Sequence, residues 1–256
     1  MPRFLSECIK TWQKVMPEYE LILWDKNKFD INSVPFVSEA CSVKKWAFAA
    51  DYLRLYAVYT EGGIYLDCDV IVRKNFTNFL GYDFFTSLEY GPEVAEEQNT
   101  ASLLNEDGTL KKSGFGVQGI GFQAAIFGGI QGHPFLRDCL DWYENNHYIL
   151  PNGESREFNM YIAPDIYAGI AQKYGFRYRQ GLQKLKENMV VLPYYVFPNY
   201  IGNATNDTYA LHYCYSSWVD KTLYAKLFQK IVLNEFIRKV FGRKPLFEKI
   251  FEGANE

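Results

Sequence analysis

The chain has 256 residues, 48% of them hydrophobic, which is enough to bury a substantial core as one domain or as one domain with a tail. Its formal net charge of -3 argues against a general nucleic-acid binder, which carries a basic excess. Five cysteines (Cys8, Cys41, Cys68, Cys139, Cys214) are odd in number, widely spaced and without a CxxC pair, so they read as reduced thiols of a cytosolic protein and not as a disulfide framework or a zinc site.

In chain order, residues 2–15 predict an amphipathic helix with Phe4, Leu5, Cys8, Ile9 and Trp12 on one face. Met16-Pro17-Glu18 breaks it. Residues 19–24 predict a short apolar strand, followed by a polar turn. Residues 42–60 predict a helix that Ser42 would cap, with Trp46, Ala49, Ala50, Leu53 and Ala57 at three- and four-residue steps. Gly62 and Gly63 let the backbone turn tightly out of that helix into a buried strand over 64–66. A further strand is expected over 84–88. Residues 89–119 are polar and aperiodic, the pattern of a functional or mobile loop. Strands over 122–127, 190–192 and 209–212 and helices over 134–145 and 165–174 complete an alternating α/β pattern. The last forty residues turn helical and basic, and no apolar run is long enough to span a membrane or serve as a leader.

The most informative stretch runs from Asp51-Tyr-Leu-Arg54 to Gly62-Gly63-Ile-Tyr-Leu-Asp67-Cys68-Asp69. Two carboxylates one residue apart at the end of an apolar strand repel each other and lose hydration unless a positive group sits between them. On an extended backbone alternate residues point the same way, so Asp67 and Asp69 can face one site. A divalent cation held by carboxylate and phosphate oxygens would offset that repulsion and neutralise a departing diphosphate. Asp51 and Arg54 share a helix face. They read either as a surface ion pair or, on a helix with apolar residues on most sides, as buried groups that meet donor hydroxyls or phosphate. His212 ends a β-like run and reads either as a third ligand or as an ordinary histidine with a backbone partner. His133, before Pro134 at a helix start, reads as structural. Residues 114–123 are a candidate stretch for donor or acceptor contacts, with Gln123 as its candidate residue.

Residues 45–70 closely resemble glycosyltransferase family 32, the sugar-binding region with a DXD motif. The similarity continues through Gly132-His133-Pro134-Phe135 to Tyr209-Ala-Leu-His212 and Ser217-Trp218. Family members include initiating mannosyltransferases and many bacterial capsule and lipopolysaccharide enzymes. The resemblance implies a GT-A, Rossmann-like nucleotide-sugar fold with a mixed central sheet over residues 1–218 and a basic helical tail over 219–256. It also implies a retaining mechanism with Mn2+ or Mg2+, and transfer from a UDP- or GDP-sugar to a glycan or lipid-linked acceptor. Position by position, Asp51 and Arg54 would bind the donor sugar, Asp67 the ribose and sugar side, and Asp69 the metal and diphosphate. His212 would be the late metal ligand, and Trp218, with Ser217 beside it, would contact the diphosphate. Relatives open with a strand that helps hold the nucleotide base, and this chain is expected to begin just after it.

Two alternatives stand beside this reading. One is a nucleotide-sugar-binding protein of the same fold with impaired catalysis. The other is a phosphohydrolase with Asp67 as nucleophile, which would need a later acidic pair after an apolar strand that the chain lacks. The expected location is cytoplasmic, and the basic tail could bring the protein to anionic lipid.

Overall fold

The computed structural model describes residues 3–25, 27–112, 114–150, 162–199 and 201–214. The chain divides into two units, Met1–Tyr215 and Ser216–Glu256. The second unit lies outside the described residues, and with it the expectations for Ser217, Trp218 and the basic tail.

Helix α1 (Arg3–Val15) follows the predicted stripe, with Phe4, Cys8 and Trp12 buried. The strand expected over 19–24 does not form. Leu21, Ile22 and Leu23 are exposed, and among the described residues no strand lies against them to complete a ladder. The helix expected over 42–60 forms as α3 (Trp46–Glu61), beginning four residues later, and a separate helix without a sequence expectation, α2 (Pro35–Ser42), precedes it. Pro35 sets the first turn of α2, where its missing N–H costs nothing, and Ser42 closes that helix without capping the next. Helix α3 ends at Gly62, whose φ of 72° a side chain would strain and whose Cβ would stand 3.1 Å from the Gln131 nitrogen.

Strand β1 (Gly63–Leu66) follows at once, and β2 (Val70–Val72) leaves in a different sheet. Then come β3 (Phe84–Tyr90), the short helix α4 (Pro92–Glu97) inside the stretch read as loop, and β4 (Ile120–Gly129). Helices α5 (Pro134–Glu144) and α6 (Ala163–Ala171) and strands β5 (Gln183–Leu185), β6 (Met189–Leu192) and β7 (Ala210–His212) complete the order. The larger sheet runs β1-β4-β3-β6-β5, antiparallel except for the parallel β3–β6 pair. The result is a mixed α/β fold with a mostly antiparallel central sheet.

Because successive strand residues face opposite sides, Phe84 and Phe127 belong to one core while Phe85 and Ile126 belong to the other. The first core joins the sheet to α2, α3, α5 and α6 through Val37, Leu55, Leu136 and Tyr167. The second joins it to α1 and to the small β2–β7 sheet through Trp12, Val70, Phe76 and Phe197. Helix α1 also holds the edge of β2 directly. The Trp12 indole Nε1–H donates to the Val70 carbonyl at 2.7 Å, and the Val72 N–H donates to Thr11 Oγ1 at 2.9 Å.

Replacing Trp12 with Phe keeps the ring but orphans the buried Val70 carbonyl, so Trp12→Phe should cost about 1–3 kcal/mol. Urea unfolding of the two proteins checks this, and indistinguishable midpoints and slopes would remove α1 from the support of β2.

Candidate metal and donor site

The site forms where the chain leaves one sheet for the other. Asp67 N–H still bonds the Ala125 carbonyl at 2.9 Å, extending the β1–β4 ladder by one step. Val70 N–H then bonds the Asp67 carbonyl at 2.9 Å, which closes a turn over Asp67-Cys68-Asp69. The two carboxylates therefore do not converge by the extended alternation expected from the sequence. They converge because a tight turn folds Asp69 back beside Asp67, with Cys68 exposed between them. Strand β7 pairs with β2 so that His212 lies opposite Val70, one residue from Asp69. A histidine 143 positions from Asp69 in sequence thus reaches the acidic turn.

His212 Nε2 stands 3.4 Å from Asp69 Oδ1 and 3.8 Å from Asp67 Oδ2. Asp67, Asp69 and His212 each offer one ligand atom, and the three atoms lie within 4.8 Å of one another. In an octahedral shell with a radius of about 2.1 Å, neighbouring ligand atoms stand about 3 Å apart and opposite ones about 4.2 Å apart. The observed spacings fall within or close to that range, and two carboxylates with an imidazole suit a divalent ion of intermediate hardness. These residues fit a divalent cation.

Burial lowers the proton affinity of His212, but Cys214 and Asp69 beside it outweigh that and hold its pKa well above the usual histidine value.

Behind Asp67 stands Arg54, only 8% exposed. Its Nη2 meets Asp51 Oδ1 at 3.0 Å, its Nη1 donates to the Ala124 carbonyl at 2.9 Å and approaches Asp67 Oδ2 at 3.7 Å, and its Nε donates to the Ala50 carbonyl at 3.3 Å. Of the pair read as either surface or buried, Arg54 is buried and Asp51 is mostly so, its side chain 13% exposed. Most of the guanidinium's donors are taken within the protein, so Arg54 acts first as a fixed positive charge between two aspartates. Tyr65 lies under the guanidinium, 5.2 Å from its carbon, and its hydroxyl donates to Asp67 Oδ1 at 2.5 Å. Burial pushes the Asp51 carboxyl up; Arg54 opposes that and Asp67 adds to it.

Gln123 is buried, with its side-chain amide bonded to Phe197, Asn199 and Ala125. His133 caps α5, accepting from the Phe135 N–H at 3.1 Å, with its Nε2 3.1 Å from the Glu187 carbonyl. That is the structural role its sequence position suggested.

Three residues of the site had no sequence signal. Glu89, half-buried at the end of β3, has its pKa raised by burial and feels His212, Arg54 and Asp67. Asn199 sits in an irregular stretch and faces His212 Nδ1 at 3.3 Å. Asp165, the third residue of α6, is 4% exposed; burial pushes its carboxyl up to about 7, an effect that the Ile162 N–H opposes and Glu89 reinforces.

Fold and site thus define a mixed α/β protein with a cluster of two carboxylates and an imidazole that could hold a divalent cation. Residues 2–86 match the family described as the glycosyltransferase sugar-binding region containing the DXD motif, so the chain carries a glycosyltransferase domain. Such a domain implies a nucleotide-sugar donor and an acceptor. No curated protein matches the chain. The matched third of the chain includes Asp51, Arg54, Asp67 and Asp69, whereas His212 joins them through the fold alone.

Two outcomes follow from these charges. Arg54→Met leaves the Asp51 carboxyl buried beside Asp67 without its cation and should destabilise by about 3–5 kcal/mol. Adding Asp51→Asn should recover part of that loss in a double-mutant cycle, and purely additive effects would mean the two side chains do not interact. Asp165 has a folded pKa above its unfolded value, so its contribution to stability is complete below about pH 4 and is lost as pH rises toward 7. Asp165→Asn keeps an oxygen for the Ile162 N–H. Relative to wild type it should gain on the order of 2 kcal/mol between pH 5 and pH 8, and a flat difference between the two melting curves would refute this.

Proposed function

We propose that the chain is a retaining family 32 glycosyltransferase of GT-A fold that uses Mn2+ or Mg2+ to move a sugar from a UDP- or GDP-sugar to a glycan or lipid-linked acceptor. The observation that supports this most is the convergence of Asp67, Asp69 and His212 on one point, with Arg54 fixed behind them. When bound, the cation would offset the charge that grows on the departing diphosphate. In this reading Asp69 and His212 hold the cation, Asp67 faces the ribose and sugar, and Asp51 and Arg54 line the sugar side. Gln123 supports the same side from within, while Ser217 and Trp218 are assigned to the diphosphate on the family resemblance alone.

Retention follows from attack on the same face. The acceptor hydroxyl forms its bond to the anomeric carbon on the side from which the diphosphate leaves. The carbon–oxygen bond to phosphate breaks, and the hydroxyl proton passes to the departing phosphate oxygen. The residues of the chain then bind and orient the donor and hold charge in place, and none of them needs to form a covalent bond. Acceptors of capsule or lipopolysaccharide synthesis suit this chemistry, in the cytoplasm or at the inner membrane face, with the basic tail meeting anionic lipid. No helix among the described residues is long and apolar enough to cross a membrane.

The test is donor hydrolysis across a panel of nucleotide sugars, with Mn2+, Mg2+ or chelator. At least one donor should release nucleotide in a metal-dependent way, and Asp69→Ala should reduce that rate at least about 100-fold. Wild-type rates in Asp69→Ala would refute the assignment. Donor binding without turnover would favour a protein that kept the fold and lost catalysis.

A further inference from the structure

We propose that Gln123 and Asn199 form a directional hydrogen-bond relay that decides which nitrogen of His212 keeps its proton when a cation binds: Nδ1 stays protonated, and Nε2, which faces Asp67 and Asp69, is the one that gives its proton up. This rests on the reading of that pocket as a cation site.

The direction of the relay follows from groups that cannot change role. The Ala125 N–H can only donate, so the side-chain atom of Gln123 it meets at 3.0 Å is the carbonyl oxygen Oε1. The Phe197 carbonyl can only accept, so the Gln123 atom 3.0 Å from it is the amide nitrogen Nε2. Backbone therefore holds the Gln123 amide at both ends, and it cannot flip without breaking two buried bonds. The remaining N–H on Nε2 points at Asn199 and must meet its oxygen, Oδ1. The other half of the Asn199 amide then bonds Glu89, which has an accepting oxygen whether or not it carries a proton. Gln123 and Glu89 thus orient Asn199 independently and in the same sense.

Asn199 Oδ1, with one lone pair used by Gln123, turns the other to His212 Nδ1 at 3.3 Å. A carbonyl oxygen only accepts, so Nδ1 must carry the hydrogen. Cys214 Sγ, 3.4 Å from the same nitrogen, can accept or donate and does not oppose this choice. The lone pair of the neutral ring is left on Nε2, the nitrogen that faces the two aspartates. A metal-bound histidine ordinarily has its far nitrogen held by such a partner, and loss of that partner weakens binding about 10- to 100-fold. Asn199 and Gln123 are thus positioning residues: they act on a cation through His212 without touching it.

The test titrates Mn2+ into the full-length protein by electron paramagnetic resonance, and records long-range 1H–15N correlations of the histidine ring with Zn2+ bound. Wild type should show His212 protonated at Nδ1 and bound through Nε2. Asn199→Ala should bind Mn2+ at least about 10-fold more weakly and lose the single Nδ1-protonated pattern. Asn199→Asp, which keeps an oxygen toward both Gln123 and His212, should recover most of the affinity. Equal Mn2+ affinity in wild type and folded Asn199→Ala, or a wild-type ring bound through Nδ1, would overturn the relay while leaving the cation site standing. A wild-type protein that binds no Mn2+ overturns both. The wild-type ring spectrum decides the tautomer even where the alanine variant does not fold.

Discussion

The site depends on a local failure of regular pairing in β4. Thr86 of β3 pairs with Phe127, but Leu88, two steps on, pairs with Phe122, so residues 123–126 of β4 leave the ladder with β3, although Ile126 still pairs with Leu66 of β1. Backbone groups released inside a protein must find partners or cost about 1–3 kcal/mol each. The partners here are the residues of the site and its supports. The single hydroxyl hydrogen of Thr86 is shared between the Gln123 and Ile126 carbonyls, Arg54 donates to the Ala124 carbonyl, Asp67 N–H to the Ala125 carbonyl, and the Ala125 N–H to Gln123 Oε1. The irregular stretch therefore serves as the anchor for the helix-borne cation, the acidic turn and the glutamine relay together. Irregular strands beside active sites are common for this reason: extra residues re-aim side chains that a regular ladder would send into the core.

The charge pattern explains why that anchor must be firm. Asp51, Asp67, Asp69 and Glu89 crowd around one permanent cation, Arg54, and one imidazole. Arg54 cannot shift toward one aspartate without leaving another, because backbone carbonyls of α3 and β4 hold two of its nitrogens. Asp67 is thereby shared, with Arg54 on one side and His212 on the other. A divalent ion on the His212 side would balance the remaining negative charge, which the sheet side cannot do because Arg54 already occupies it.

Much of this is legible in the amino-acid sequence. Helices α1, α3, α5 and α6 and strands β1, β3, β4, β6 and β7 match apolar patterns in the chain, and the block from Asp51 to Asp69 carries the chemistry. Three things are not legible. The residues at 21–23 have the composition of a strand, but a strand exists only with a partner, and composition does not report one. The three-residue strand β2 is too short for any period, so the sequence suggests extended backbone for an acidic pair that lies in a turn. Asn199 matters because of where irregular backbone puts it and Glu89 because β3 carries it to the same pocket, and a single asparagine or glutamate among many carries no mark of that.

The brevity of β2 also determines what the site can tolerate. A two-stranded sheet is marginal alone, and β2 pairs with β7 over three residues only. Its other side is held by side chains of α1, through the indole of Trp12 and the hydroxyl of Thr11, which itself donates to the Cys8 carbonyl at 2.6 Å. The distance from Asp69 to His212 is therefore set partly by a helix that supplies no ligand. Changes in the apolar face of α1 would reach the pocket by letting β2 slide against β7, which separates the carboxylates from the imidazole while leaving all three side chains intact.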